Sequence, residues 1–94
     1  MTSLPSIEVL EANHTFPGPY LFKAIGTNEN DFVQRTVAAV RAELETDADP
    51  PYTLRETPAK RHVSVSIECP VGNAAQVLAV YRRLLTVEGL VLLW

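Results

Sequence analysis

The chain has 94 residues, of which 47% are hydrophobic, and its 11 acidic and 8 basic side chains give a net charge of −3. This length predicts one domain with one hydrophobic core, and the acidic balance argues against nucleic acid as a partner, because domains that bind nucleic acid are usually basic. The single cysteine, Cys69, excludes an intrachain disulfide and a metal cage built from several thiolates.

The first fifteen residues are predicted to form an extension that is separate from a single domain of residues 16–94. Pro5 and Ser6 favour the start of a short helix. The stretch is too short to fold alone, so we expect either a frayed tail or a strap laid on the domain. The apolar side chains of this segment are those of Ile7, Val9 and Leu10.

The hydropathy pattern predicts a cytoplasmic protein without membrane contact. The first residues lack the basic start and the apolar run of a secretion signal. No apolar run approaches the ~20 residues that a membrane helix needs.

A first strand is predicted over Tyr20–Ile25, ending at Gly26, and a helix is predicted to follow it. The polar run Thr27–Asp31 favours a helix start, with Asn28 or Asn30 as the capping residue. Apolar residues then recur at helical spacing, so this helix should turn one face toward a sheet. That face consists of Val33, Val37, Val40 and Leu44.

The segment Glu45–Pro51 is predicted to be a loop, because its two prolines cannot lie inside a helix. Its acidic residues alternate, but the loop lacks the glycine and the terminal glutamate of an EF-hand calcium site. A solvated acidic turn therefore explains the pattern better. The two histidines, His14 and His62, have no second ligand at metal spacing. We expect no metal site and no other cofactor.

Two strands are predicted next, over residues 52–57 and 62–69. The second alternates apolar and polar side chains, which is typical of a sheet with one buried and one open face. Leu54 of the preceding strand should be buried with the apolar set, and Pro70 should end the second strand. The apolar set is Val63, Val65, Ile67 and Cys69, and the polar set is Ser64, Ser66 and Glu68.

A second long helix and a last strand complete the chain. Asn73 is predicted to cap the helix, with Gln76 at the second position of a capping box. Glu88 and Gly89 then turn the chain into a strand, Leu90–Trp94, that has no polar residue. The apolar stripe of the helix is Ala74, Val77, Leu78, Tyr81, Leu84 and Leu85.

The element order βαββαβ predicts an α+β two-layer sandwich with a four-stranded antiparallel sheet and two helices on one face. Two right-handed crossovers that each skip one strand give the sheet order 4-1-3-2. Val65 should then lie in the core against both helices. This architecture hosts many unrelated functions, so it does not define an activity.

Four segments of the chain carry a family resemblance: Phe16–Pro17, Phe22–Gly26, Ser64–Ile67 and Tyr81–Leu84. In this order they resemble the YbeD-like bacterial proteins, a family of unknown function, over residues 16–94. The resemblance implies a ferredoxin-like sandwich similar to ACT domains, which bind small regulators or dimerise, and it implies no catalytic residues. The chain departs from the family in its longer lead-in and in a hairpin turn that lacks glycine and aromatic residues.

Two activities known on this kind of sandwich do not fit the sequence. The loop after the first strand has one glycine and two acids, which would repel the phosphate that an acylphosphatase binds there. RNA-recognition domains stack bases on aromatic residues of the sheet, whereas the third strand offers Ser64, Ser66 and Glu68. We therefore expect neither an enzyme nor a nucleic-acid-binding protein.

The face of the sheet away from the helices is the candidate functional surface. If Phe22 and Ala24 point under the helices, one half of this face is apolar and lies beside an unpaired edge, which is an aggregation hazard unless something covers it. The cover is expected to be a partner, most simply a second copy of the chain, or else the apolar lead-in. The last strand contributes either Leu90, Leu92 and Trp94 or Val91 and Leu93 to this face. The candidate residues are Leu21, Lys23, Ile25, Arg55, Ser64, Ser66, Glu68 and Trp94.

Two functions from different classes follow from these expectations. The first is a non-enzymatic regulatory or protein-interaction module that acts through the open face or edge of its sheet. The second is an ACT-like regulatory domain that binds a small metabolite such as an amino acid or an organic acid.

Overall fold

The computed structural model describes residues 4–94, which form three helices and four strands. The strands make one antiparallel sheet in the order β2-β3-β1-β4, which is the predicted order read from the other edge. The predicted sandwich is therefore confirmed. The elements are α1 (Ile7–Asn13), β1 (Gly18–Thr27), α2 (Phe32–Leu44), β2 (Tyr52–Glu56), β3 (His62–Val71), α3 (Ala74–Leu84) and β4 (Leu90–Leu93).

The hydrophobic core lies between the two central strands and the helices α2 and α3. Side chains alternate along β1 and β3, so every second residue of each strand points toward the helices. Val65 is fully buried there, as predicted, together with Val40 and Val77 of the two helices. Burial of such side chains, worth roughly 25 cal/mol per Å² of apolar surface, stabilises the sandwich.

The start of α2 differs from the prediction that Asn28 or Asn30 caps the helix. Asp31 occupies the capping position, and its side chain makes no capping hydrogen bond. The amide of Asn28 instead donates to the Glu56 carboxylate at 2.6 Å and to the Lys60 carbonyl at 3.1 Å. Asn28 therefore ties the loop before α2 to the β2–β3 hairpin, a long-range role that local helix propensity does not reveal.

Packing around Gly26 explains why β1 and α2 approach so closely. A Cβ atom at Gly26 would overlap the ring of Phe32, the first residue of α2. The absence of a side chain at Gly26 therefore allows the buried Phe32 ring to rest on the strand.

Pro70 does not end β3, contrary to the prediction, because its missing N–H costs no hydrogen bond. Residues of β3 point their N–H groups alternately toward β1 and β2, and Glu68 donates to the Pro51 carbonyl on the β2 side. The nitrogen of Pro70 faces the same side, where β2 has already ended. Pro70 therefore pairs with Pro19 inside the β1–β3 ladder.

The prediction that Asn73 caps α3 is confirmed, whereas the Gln76 side chain bonds to the residue before the cap and not to Asn73 as a capping box requires. The Asn73 carboxamide oxygen accepts a hydrogen bond from the Gln76 N–H at 2.8 Å. The Gln76 side chain accepts in return from the Gly72 N–H at 2.6 Å. Leu85, which was assigned to the apolar stripe, follows the helix and is exposed.

The prediction that Leu54 is buried is wrong, because the helix layer covers only the centre of the sheet. Every residue of β2 is exposed, and the Leu54 side chain is 52% exposed although it points to the helix side. Helix α2 packs on β1 and β3 and stops short of this edge. The strand β2 therefore stands beside the core and contributes little to it.

Candidate functional site

The face of the sheet opposite α2 and α3 is called the open face here. Tyr20, Phe22 and Ala24 of β1 point toward the helices, so the residues between them point the other way. All eight residues predicted for the candidate surface lie on this face, because cross-strand partners in an antiparallel sheet share a face. They are Leu21, Lys23, Ile25, Arg55, Ser64, Ser66, Glu68 and Trp94.

One half of the open face is apolar and is called the apolar strip. It consists of Leu21 and Ile25 on β1 and of Leu92 and Trp94 at the neighbouring edge. Leu21, Leu92 and Trp94 are 44%, 47% and 45% exposed. Neighbouring apolar side chains of this size on one surface are typical of an interaction site.

The side chains of β4 follow neither of the two alternations expected from the sequence, which place either Leu90 and Leu92 or Val91 and Leu93 on the open face. A register shift between Ile25 and Gly26 turns Leu90 toward the core, while Leu92 pairs with Ile25 on the open face. Leu93 lies under the helices and is 2% exposed. Because of the bulge, β4, which has no polar residue, places Leu90 and Leu93 toward the core and Leu92 on the open face.

Lys23 and Trp94 are held together at the middle of the strip. Their backbones exchange two hydrogen bonds, of 2.8 Å and 2.9 Å. The Lys23 ammonium nitrogen lies 5.9 Å from the centre of the Trp94 ring, within the range of a cation–π interaction. The Lys23 charge therefore sits over an aromatic surface that remains accessible.

The other half of the open face is polar. Ser64 and Ser66 are half-buried at its centre, and Arg55 and Glu68 are exposed beside them. In the register, Arg55 pairs with Ser64, and Leu21 pairs with Glu68. The open face thus carries charges of both signs next to its apolar strip.

The described part of the lead-in, from residue 4 onward, does not cover the open face, so the alternative in which Ile7, Val9 and Leu10 fold across it is wrong. It does form a helix, as predicted, with the Ser6 hydroxyl accepting from the Val9 N–H at 3.2 Å. That helix, α1, packs on α3 on the opposite side of the molecule. Leu10 anchors it in the core at 2% exposure. Among residues 4–94 nothing lies over the apolar strip.

A second concave feature, called the Arg35 cleft, lies where β1 leads into α2. It has a volume of about 530 Å³. The Arg35 Nε donates to the Asn30 carbonyl at 2.8 Å and one Nη donates to the Glu88 carbonyl at 2.7 Å. The guanidinium is thus held by two hydrogen bonds, and its second Nη donates none within residues 4–94. The residues lining the cleft are Thr27, Glu29, Asn30, Arg35, Glu88 and Gly89.

Sequence analysis did not identify Arg35 as a site residue, although its position contained a signal. Arg35 lies in the first turn of α2, at the positive end of the helix dipole, where a cation is unfavourable. An arginine at such a position indicates a role other than helix stabilisation.

The buried groups with perturbed pKa values are poor candidates for nucleophiles. Burial, with a smaller effect of the Glu68 carboxylate, raises the pKa of the Cys69 thiol to about 11. Burial and the 2.9 Å hydrogen bond to Tyr20 also raise the pKa of the Tyr81 hydroxyl. Both groups stay protonated at neutral pH, in agreement with the interpretation of Cys69 and Tyr81 as core residues.

Among residues 4–94 there is no group of three or more His, Cys, Asp or Glu side chains that could hold a metal ion. Within the same range, none of the helices has the length and hydropathy that crossing a membrane requires.

These features define an α+β domain of the ferredoxin-like class, with an uncovered apolar strip on its sheet. The chain belongs to the family described as "Protein of unknown function (DUF493)", whose model matches residues 11–93. This assignment agrees with the resemblance to the YbeD-like proteins. A comparison with curated proteins finds no match.

Proposed function

We propose that the domain is a non-enzymatic protein-interaction module whose open face binds a second copy of the chain. The observation that carries this proposal is the apolar strip, which stays exposed because α1 packs on α3 instead. An exposed apolar strip next to a sheet edge favours aggregation unless a specific partner covers it. A regulatory role would follow if pairing controls another activity. We expect the chain to act in the cytoplasm, where thiols stay reduced, in keeping with the free, buried thiol of Cys69.

The charges of the open face favour a second copy as the partner. In a dimer with two-fold symmetry, the same surface meets itself. A face with charges of one sign would then repel its copy, but this face carries Lys23 and Arg55 together with Glu68. The two copies can therefore bury their apolar strips while the opposite charges of Arg55 and Glu68, which lie beside the strip, face each other at the rim.

Light scattering during size-exclusion chromatography tests the proposal with two matched variants. Leu92→Lys places a charge in the apolar strip, and Leu85→Lys places the same charge at a similarly exposed leucine of the helix layer. We expect a dimer for the natural chain and for Leu85→Lys, and a monomer for Leu92→Lys. A natural chain that stays monomeric up to millimolar concentration would contradict the proposal.

The Arg35 cleft favours a second candidate, an ACT-like domain that binds a small metabolite. The free Nη of Arg35 suits a carboxylate, and the Glu29 and Glu88 side chains at the cleft suit an ammonium group. A free amino acid carries both groups, whereas a simple anion would be repelled by the two carboxylates.

Thermal denaturation with a panel of amino acids, and with organic acids that lack an ammonium group for comparison, tests this candidate, because a ligand that binds the folded state raises its melting temperature. Arg35→Lys is the comparison variant, since it keeps the positive charge but loses the planar guanidinium that bonds to the carbonyls of Asn30 and Glu88. The candidate predicts a shift for the natural chain that is lost in Arg35→Lys. No shift with any compound, or an equal shift in both proteins, would contradict it.

A further inference from the structure

Strand β2 forms an edge of the sheet, and its outer backbone groups have no partner among residues 4–94. At its two ends, Thr57 donates its N–H to the His62 carbonyl and Glu68 donates to the Pro51 carbonyl. Odd-numbered residues of this strand therefore bond to β3, and even-numbered residues point their N–H and C=O groups outward. The outward-facing residues are Tyr52, Leu54 and Glu56.

This edge lacks a lysine, a proline and a bulge, three of the features by which proteins usually protect an edge strand. The opposite edge, β4, has four residues and a register shift next to it. Strand β2 has five residues in unbroken register with β3, and it contains neither lysine nor proline. A regular edge strand without a bulge or a proline is a template for pairing with another strand.

A groove of about 360 Å³ runs between this edge and the start of α2. Tyr52 and Leu54 supply its exposed apolar surface. Glu29 and Asp31 line the same groove, and their carboxylates form no ion pair within residues 4–94. The groove has no basic residue in its lining. Its charge therefore complements a basic ligand.

We infer that the β2 edge binds an extended segment of a different protein, apolar at alternate positions and basic at one end, as a fifth strand of the sheet. Backbone hydrogen bonds would supply affinity, and the groove would select side chains. This inference rests on the proposed role in protein interaction, but it assigns a surface and a partner separate from those of the dimer.

A second copy of the chain fits this edge poorly. If β2 paired with its own copy, the groove of each copy would receive side chains from the even-numbered residues of the other. Those residues include Glu56, an acid, and no base. The only basic residue of β2, Arg55, lies on the open face. Charge complementarity therefore favours a foreign, basic segment.

The register of an antiparallel ligand follows from the positions of these groups. The Asn28–Glu56 hydrogen bond places the acidic loop near the end of β2 at Glu56. The ligand residue opposite Glu56 should therefore be basic, and those opposite Leu54 and Tyr52 should be apolar. A glutamate opposite Arg55 would pair with it on the open face. In the direction of the ligand chain this pattern is Lys-Glu-Val-Thr-Val.

A peptide with this sequence between Gly-Ser flanks tests the inference on the full chain by amide hydrogen exchange monitored by NMR. We expect the amide protons of Tyr52, Leu54 and Glu56 to exchange more slowly as peptide is added. Thr53 and Arg55 already bond to β3 and should change little. No added protection at millimolar peptide, or protection at another surface, would overturn the inference.

Three variants separate the contributions of the backbone and of the charges. Leu54→Pro removes an outward N–H and leaves the β3 ladder intact, whereas Leu54→Thr keeps that N–H. We expect Leu54→Pro to weaken binding about tenfold more than Leu54→Thr does. If Leu54→Pro does not fold, Glu29→Lys provides the test, with an expected loss of about two- to fivefold for this peptide. Equal binding by the natural chain and by the folded variants would overturn the inference.

Two further observations distinguish this inference from the proposed dimer. The Leu92→Lys variant should lose the dimer and still bind the peptide, so each proposal can fail separately. If the outward amides of Tyr52, Leu54 and Glu56 are already protected in the free chain, and more so at higher protein concentration, a second copy occupies the edge. The inference of a foreign segment would then be wrong.

Discussion

Adjacent residues of β3 lie in opposite environments, and this alternation sets their chemistry. Glu68 points to the open face and is exposed, whereas Cys69 points to the core and is 3% exposed. The thiol is neutral when protonated, so burial favours the protonated form and raises its pKa to about 11. A single step along the strand thus separates a charged surface residue from an inert core residue.

The Cys69 thiol predicts a loss of stability at alkaline pH. Its pKa rises from 9.0 to about 11 on folding, so the unfolded chain releases the proton first as the pH increases. The contribution of the protonated thiol to the free energy of unfolding is fully present below pH 9 and is lost as the pH rises toward 11. At pH 10 the free energy of unfolding is lower by about 1 kcal/mol. Denaturant unfolding at pH 7.5 and pH 10 measures this change. Cys69→Ala should lose less stability over the same interval, and equal losses would contradict the assignment.

Alternation along β3 was readable from the sequence because one strand face is apolar and the other is polar. Val63, Val65, Ile67 and Cys69 are all buried, as predicted. The same reasoning failed for Leu54, because the width of the helix layer, and not the strand pattern, decides whether an edge residue is covered. Sequence periodicity identifies the face on which a residue lies but does not show how far the opposite layer extends.

At the scale of elements, local sequence signals make α1 a helix, and a single buried residue decides where the helix packs. Ser6 supplies the cap, and Leu10 is the only residue of α1 that is buried. The rings of His14 and Tyr20 lie 4.8 Å apart just after the helix, on the same side of the sheet. The docking site of α1 could not be predicted, because Leu10 would suit any apolar surface, including the open face.

Leu10 should therefore anchor α1 to the core without affecting the open face. We expect Leu10→Ala to lower the free energy of unfolding by about 2–4 kcal/mol, since it leaves a cavity between α1 and α3. Val9→Ala, at an exposed position of the same helix, should change it by less than about 0.5 kcal/mol. Denaturant unfolding compares the two variants. If Leu10→Ala instead made the protein aggregate at full native stability, α1 would be protecting the open face.

At the scale of the whole molecule, only one of the two faces of the sheet is covered by helices. The helix layer shields one side of β1 and β3, while the other side keeps an apolar strip and both edge strands remain unpaired among residues 4–94. The order of elements was sufficient to predict the sandwich and the open face. The Arg35 cleft and the groove beside β2 were not predictable, because each joins residues from loops and strands that are distant in sequence.

An apolar contact between two open faces predicts an association that depends little on salt. Burial of Leu21, Ile25 and Leu92 acts through the hydrophobic effect, which mobile ions do not screen. We expect the dissociation constant of the dimer to change by less than about threefold between ~0.05 M and ~0.5 M NaCl. Sedimentation equilibrium at several protein concentrations measures it directly. A loss of affinity of about tenfold or more at high salt would mean that Lys23, Arg55 and Glu68 dominate the contact, and that the apolar strip is not its centre.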